Sequence, residues 1–123
     1  MINFKGKKIL ITGATGGIGK ALVKKFLSLD GTILATGTNT EKLDSLKKEF
    51  PSLNVLKFDI SDHSKIEDFI ENVSSQLVGL DVLVNNAGIT MDNLSLRMKD
   101  EEWKRVIDIN LSSTFYLCKL AIK

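Results

Sequence analysis

The chain has 123 residues, 43% of them apolar and 26% charged, with 17 Lys and Arg against 15 Asp and Glu. That is the makeup of one globular domain with a real core and argues against disorder. The basic residues are scattered along helix faces rather than gathered into a stripe with aromatics, so no nucleic-acid partner is expected.

The N-terminal "MINFKGKKILITG" carries lysines, but its apolar run stops at Thr12 and Gly13, short of the ~7–15 residues of a signal peptide core. No stretch approaches the ~20 apolar residues of a membrane helix. The single cysteine, Cys118, can form no internal disulfide and sits in an apolar helical run, which reads as a packed core residue. A cytoplasmic protein in a reducing compartment, without a membrane partner, is expected.

"KKILIT" (7–12) reads as a buried strand, followed by a helix from about Gly17 to Leu29 with Ile18, Leu22, Phe26 and Leu29 on one face. "GTILATG" (31–37) is a second strand, and 41–50 a second helix with Leu43, Leu46 and Phe50 inward. "LNVLKFD" (53–59) follows Pro51 as a third strand. Asp62 or Ser64 then caps a third helix, Ser64 with Glu67 fitting a capping box, and Ile66, Phe69, Ile70, Val73 and Leu77 form its buried stripe. "DVLVNN" (81–86) is a fourth strand, a loop runs to about Lys99, and a last helix from Asp100 carries the apolar residues Trp103, Val106, Ile107, Leu111 and Phe115. Strict alternation of strand and helix predicts an α/β, Rossmann-type doubly wound parallel sheet, with 1–123 as one dinucleotide-binding domain.

"LITGATGGIG" (10–19) places glycines directly between a strand and a helix, the context in which such a motif binds a dinucleotide. Gly13 permits the tight turn, Gly17 lets the backbone approach a pyrophosphate, and Gly19 allows close helix–strand packing. The helix N-terminus offers unpaired N–H groups to the phosphates. Where a carboxylate usually accepts from the 2′-hydroxyl of NAD, the second strand ends in Gly37 and Thr38, which favours NADP(H). Thr38 and Asn39 are the candidate phosphate partners, with Lys42 a third that reads more readily as a solvated helix residue. With no arginine beside them, NAD(H) stays open.

The glycines satisfy two spacings, TGxxxGxG and TGxxGxxG. With "VNNAG" ending the fourth strand and Asn110 in "VIDINLSSTF", the first spacing resembles the short-chain dehydrogenase/reductase family. The run "NNAGITMDNLSLRMKDEEWKRVIDINLSSTF" (85–115) is most similar to its bacterial 3-oxoacyl-[acyl-carrier-protein] reductase branch. The resemblance implies NADPH-dependent reduction of a 3-oxoacyl group on acyl carrier protein, in fatty acid biosynthesis, by a homotetramer. It implies that Gly13, Ala14, Thr15, Gly16, Gly17, Ile18 and Gly19 wrap the pyrophosphate and that Asp59 and Ile60 flank the adenine. Asn86, Ala87 and Gly88 line the ribose side on the same basis. Many NADPH-using relatives carry a basic residue where this chain has Gly16.

Asn110 has two readings: a polar group satisfying the backbone at a helix bend, or the family's catalytic asparagine, which distorts its helix and holds a water near a catalytic lysine. The family's Tyr-x-x-x-Lys and orienting serine find no match in 1–123. Tyr116 is followed by Lys119, one residue short of that spacing, and reads as packing. The helical run "LCKLAIK" reaches Lys123 without a cap. The expectation is therefore the N-terminal part of a longer reductase, inactive by itself. Two alternatives remain: a dinucleotide-binding module without turnover, and a short-chain reductase of another carbonyl substrate. His63 reads as a solvated residue at a helix start, with no metal site. The loop with Arg97 and Lys99 either borders an acidic carrier protein or is simply solvated.

Overall fold

Strands whose successive side chains are all apolar must be covered on both faces. The computed structural model, which describes residues 2–89 and 91–122, meets that demand. Thr90, in the loop read from 89 to 99, and Lys123, at the end of the last helical run, lie outside the described residues.

The chain runs through β1 (Lys8–Ile11), α1 (Gly17–Ser28), β2 (Thr32–Gly37), α2 (Thr40–Glu49), β3 (Asn54–Lys57), α3 (Ile66–Leu77) and β4 (Val82–Val84). It closes with α4 (Asp100–Ile107), a π turn (Asp108–Ser112) and α5 (Ser113–Ile122). The four strands form one parallel sheet in the order β3-β2-β1-β4, with Leu10 paired to Leu34 on one side and Leu83 on the other. This is the Rossmann-type arrangement expected.

Strand periodicity sorts the core into two layers. Ile9, Ile11, Ile33 and Ala35 point toward Val23 of α1 and Leu46 of α2. Leu10 and Leu34 point the other way, onto Ile66, Phe69, Ile70 and Val73 of α3 and Leu117 of α5. Ile9, Leu10 and Ile11 are all fully buried, and each such side chain stabilises the fold by about 1.5–3 kcal/mol relative to exposure. β1 therefore anchors both layers, and the turn that follows it inherits that rigidity.

Several local expectations are corrected. Ile18 is not on the buried face of α1 but 74% exposed, and Val23 fills that role. Asn39 caps α2, its Oδ1 accepting the Lys42 N–H at 3.0 Å. The cap uses the amide oxygen, whereas a phosphate would take the Nδ2 donor, so the two roles do not compete. The Ser64–Glu67 capping box does not form. Ser64 donates to Asp62 Oδ1 at 2.9 Å, and His63–Lys65 make a 3-10 turn that leads into α3. The last helix differs most. Trp103 is 62% exposed, and Leu111 and Phe115 are exposed too, while Ile109, Ser113 and Leu117 are buried. The π turn adds a residue to the helical repeat, so the stripe after it does not continue the face of α4. Trp103 lies before that turn. Among the described residues no helix is long and apolar enough to cross a membrane.

Candidate dinucleotide site

The C-terminal ends of β1, β2, β3 and β4 converge on one cleft of about 300 Å³, at the low end of the ~300–1,000 Å³ typical of small-molecule sites. Gly13, Thr15, Thr38, Asp59, Ala87 and Gly88 line it. Residues that the sequence placed far apart are thus brought together. A larger cleft of about 520 Å³ lies between α3 and the end of α5, but it is remote from the glycine turn and the strand ends.

The glycine turn is fixed by what it excludes. Gly13 has φ +60, and a Cβ there would lie 2.6 Å from the Ala87 Cα, so both conformation and space demand glycine. At Gly19 a Cβ would lie 2.6 Å from the Ala14 Cα and would also strike the Gly13 carbonyl. Gly17 is different, because nothing lies within 4 Å of its absent Cβ. The space above the first turn of α1 is open, which is what a phosphate-binding N-terminus requires. Gly16 and Ile18, also exposed, flank that opening.

Thr12 ties this turn to the end of β4. Its buried Oγ1 accepts the N–H groups of Asn86 (3.2 Å) and Ala87 (3.0 Å), and the Asn86 side-chain amide donates to the Gly13 carbonyl at 2.9 Å. Ala14 N–H donates to the Thr36 carbonyl at 3.1 Å. Gly37 faces Thr15, whose Cγ2 would lie 3.3 Å from a Cβ at that position. A carboxylate side chain there would have to push Thr15 aside.

On the other side of the cleft, Asp59 Oδ1 accepts the Ser61 hydroxyl at 2.6 Å and the Ser61 N–H at 2.9 Å. The Ser61 hydroxyl is the main cause that holds the Asp59 carboxyl below its ordinary value. The Ser61 N–H and the Arg105 charge add to it, and partial burial opposes it. Ile60 is buried beside it.

Asn110 sits in the π turn and uses both ends of its amide on one residue. Its Oδ1 accepts the Ile89 N–H and its Nδ2 donates to the Ile89 carbonyl, each at 2.8 Å. Gly88 makes this approach possible, since a Cβ there would lie 3.2 Å from Oδ1. Asn110 thus holds the Ile89 backbone from within the π turn.

Arg105, Ile109, Phe58 and Ile89 also line the cleft and were missed from sequence. Arg105 and Ile109 stand four apart and so share a helix face, a spacing that could have found them. His63 is half-buried rather than solvated, its Nε2 2.9 Å from Ser113 Oγ. Cys118 is half-buried beside the Asn85 amide (3.3 Å) rather than fully in the core. Tyr116 packs its ring on His63 at 4.9 Å.

A sequence profile described as short chain dehydrogenase matches residues 7–123. The chain is 37% identical over 123 residues to the 3-oxoacyl-[acyl-carrier-protein] reductase FabG of Escherichia coli, covering 99% of this chain and 50% of that protein. It is 45% identical over 127 residues to the FabG of Rickettsia felis, covering 100% of this chain and 50% of the relative. The chain thus spans about half the length of the curated relatives it matches. A crystal structure of a short-chain dehydrogenase/reductase from Brucella melitensis, titled a glucose/ribitol dehydrogenase, superposes with a TM-score of 0.91. Sequence identity is 32%, over 98% of this chain and 52% of that one.

Proposed function

The chain belongs to the short chain dehydrogenase family, an oxidoreductase family, and on that premise we propose that residues 1–123 are the dinucleotide-binding domain of a 3-oxoacyl-[acyl-carrier-protein] reductase. The complete protein would reduce the 3-oxo group to a 3-hydroxyl with NADPH, in fatty acid biosynthesis. The observation that carries the reading is the open space above Gly17, framed by Gly13 and Gly19, whose positions tolerate no side chain. That space fits a pyrophosphate at a helix N-terminus.

Gly13–Gly19, with Ala14, Thr15, Gly16 and Ile18 between, would hold the pyrophosphate. Asp59 and Ile60, with Arg105 at the lip, would enclose the adenine. Asn86, Ala87 and Gly88 would face the ribose toward the nicotinamide. The absence of an acidic side chain at Gly37 and Thr38 removes the charge that would repel a 2′-phosphate, which supports NADP(H) over NAD(H). The bound cofactor supplies the hydride for the carbonyl carbon. The carbonyl oxygen then needs a proton, and that donor belongs to the Tyr-x-x-x-Lys segment that the family resemblance places beyond these residues.

Within this chain Asn110 holds Ile89 and so shapes the floor on which substrate and acid would meet. A direct catalytic role for Asn110, through a water near the lysine, remains part of the proposal. The exposed apolar residues Trp103, Leu111 and Phe115 on one helical segment support burial against a neighbouring subunit, in a homotetramer. A cytoplasmic location goes with the carrier-linked substrate.

The test is to follow NADPH absorbance with the complete protein and a 3-oxoacyl group on acyl carrier protein. Rapid oxidation is expected, with NADH much slower. Oxidation with a free sugar or alcohol-derived carbonyl but not the carrier-linked substrate would assign the chain to another reductase of the family. Saturable binding without any turnover would leave a dinucleotide-binding module.

A further inference from the structure

Ser113 is 0% exposed, at the point where the π turn gives way to α5. Its Oγ lies 2.6 Å from the Ile60 carbonyl oxygen, 2.6 Å from the Asp108 carbonyl oxygen and 2.9 Å from His63 Nε2. A hydroxyl has one proton to donate. The Asp108 carbonyl already accepts the Ser113 backbone N–H across the π turn. Both carbonyls can only accept, so the one hydroxyl proton goes to the Ile60 or the Asp108 carbonyl and not to the imidazole. His63 Nε2 faces that hydroxyl oxygen at 2.9 Å and the acceptor-only Asp108 carbonyl at 3.3 Å, so it is the donor to this pair. The network thus assigns the proton to Nε2.

This arrangement links three places that line the cleft. Ile60 follows Asp59 on one wall, and Ile109 stands one residue after Asp108 in the π turn. Asn110, in the same turn, holds Ile89. No other side chain among the hydrogen bonds of the described residues joins the Ile60 carbonyl to the π turn.

We propose that His63 is a positioning residue of the dinucleotide cleft: by donating to Ser113 it fixes the Ile60 carbonyl to the π turn and so sets the gap between Asp59–Ile60 and Ile109. The inference rests on the reading of this cleft as a dinucleotide site, and it adds a residue that touches no ligand itself. The imidazole acts from behind the wall, with its other face packed on Tyr116.

The test compares H63L, which keeps bulk and loses the donor, with H63Q, whose side-chain amide retains an N–H. Affinities for NADPH and for AMP are measured on the complete protein per folded molecule, with folding taken from circular dichroism. H63L is expected to weaken both by about tenfold, the scale of one buried polar group left unsatisfied, while H63Q stays close to wild type. Hydrogen exchange at the Ile89 amide should rise in H63L and not in H63Q.

Equal AMP affinity in H63L and wild type would overturn the inference, as would an equal loss in H63L and H63Q. If H63L does not fold, S113A removes the same link from the other side, and the same loss is expected of it. Wild-type protein that binds no NADPH would overturn the dinucleotide reading itself, an outcome distinct from wild-type binding that His63 does not affect.

Discussion

The two walls of the cleft are built on different physics. The glycine turn is fixed by volume: at Gly13 and Gly19 a single added carbon would lie 2.6 Å from backbone atoms of Ala87 and Ala14. The facing wall, from Asp59 to Ser61 and from Asp108 to Ser113, is fixed by side chains, through bonds of Ser61, His63, Asn110 and Ser113 to nearby groups. Backbone-on-backbone packing admits almost no variation. A wall held by side-chain hydrogen bonds can be loosened one bond at a time, so its effects on stability and binding are graded.

The sharpest contrast comes from G19A. Its Cβ meets backbone that cannot move without dragging β1, so a loss of about 3 kcal/mol is expected in urea unfolding, at the upper end of overpacking effects. A G19A protein as stable as wild type would remove the volume argument for this wall. N110A should fall next, since it deletes both bonds to Ile89 in an exposed setting. The expected loss is about 1–2 kcal/mol, with faster hydrogen exchange at the Ile89 amide, and an unchanged exchange rate there would contradict the assigned role. R105A should leave unfolding almost unaffected and weaken AMP binding by only about threefold, as suits a solvent-exposed cation that lines the cleft. No change in AMP affinity would take Arg105 out of the site.

The smallest effect concerns acid. Because the Asp59 carboxyl is held below its ordinary value of 3.8 in the folded chain, its contribution to stability is present above that value. It is lost as pH falls through the folded value. S61A removes the main cause, so the Asp59 carboxyl should titrate closer to 3.8 by carbon-detected NMR. An unmoved titration would mean that the Ser61 hydroxyl is not the cause.

The same contrast explains what was legible in the sequence. Strand periodicity, the glycine turn and the alternation that fixes a parallel sheet are local patterns, and Gly13, Gly19 and the buried run Ile9–Ile11 could be read directly. The second wall depends on contacts between residues distant in sequence. His63 meets Ser113 fifty positions away, and no local pattern announces it. The π turn is the costliest omission, because it breaks the helical repeat between α4 and α5, and the buried positions beyond it are Ile109, Ser113 and Leu117 rather than Leu111 and Phe115. Asn39 has a structural role that its place in the sequence also announces. An asparagine before a helix is first of all a cap, and here it is one.

The most direct test of the account is a calorimetric titration of NADPH into the complete wild-type protein and its G17A variant. The space above Gly17 is empty of protein atoms, and alanine is favoured over glycine in a helix by up to about 1 kcal/mol. G17A should therefore melt no lower than wild type, yet bind NADPH far more weakly because its methyl occupies the place of the pyrophosphate. Wild-type protein that binds no NADPH, or G17A that binds it as tightly as wild type, would contradict the claim that this cleft holds the dinucleotide.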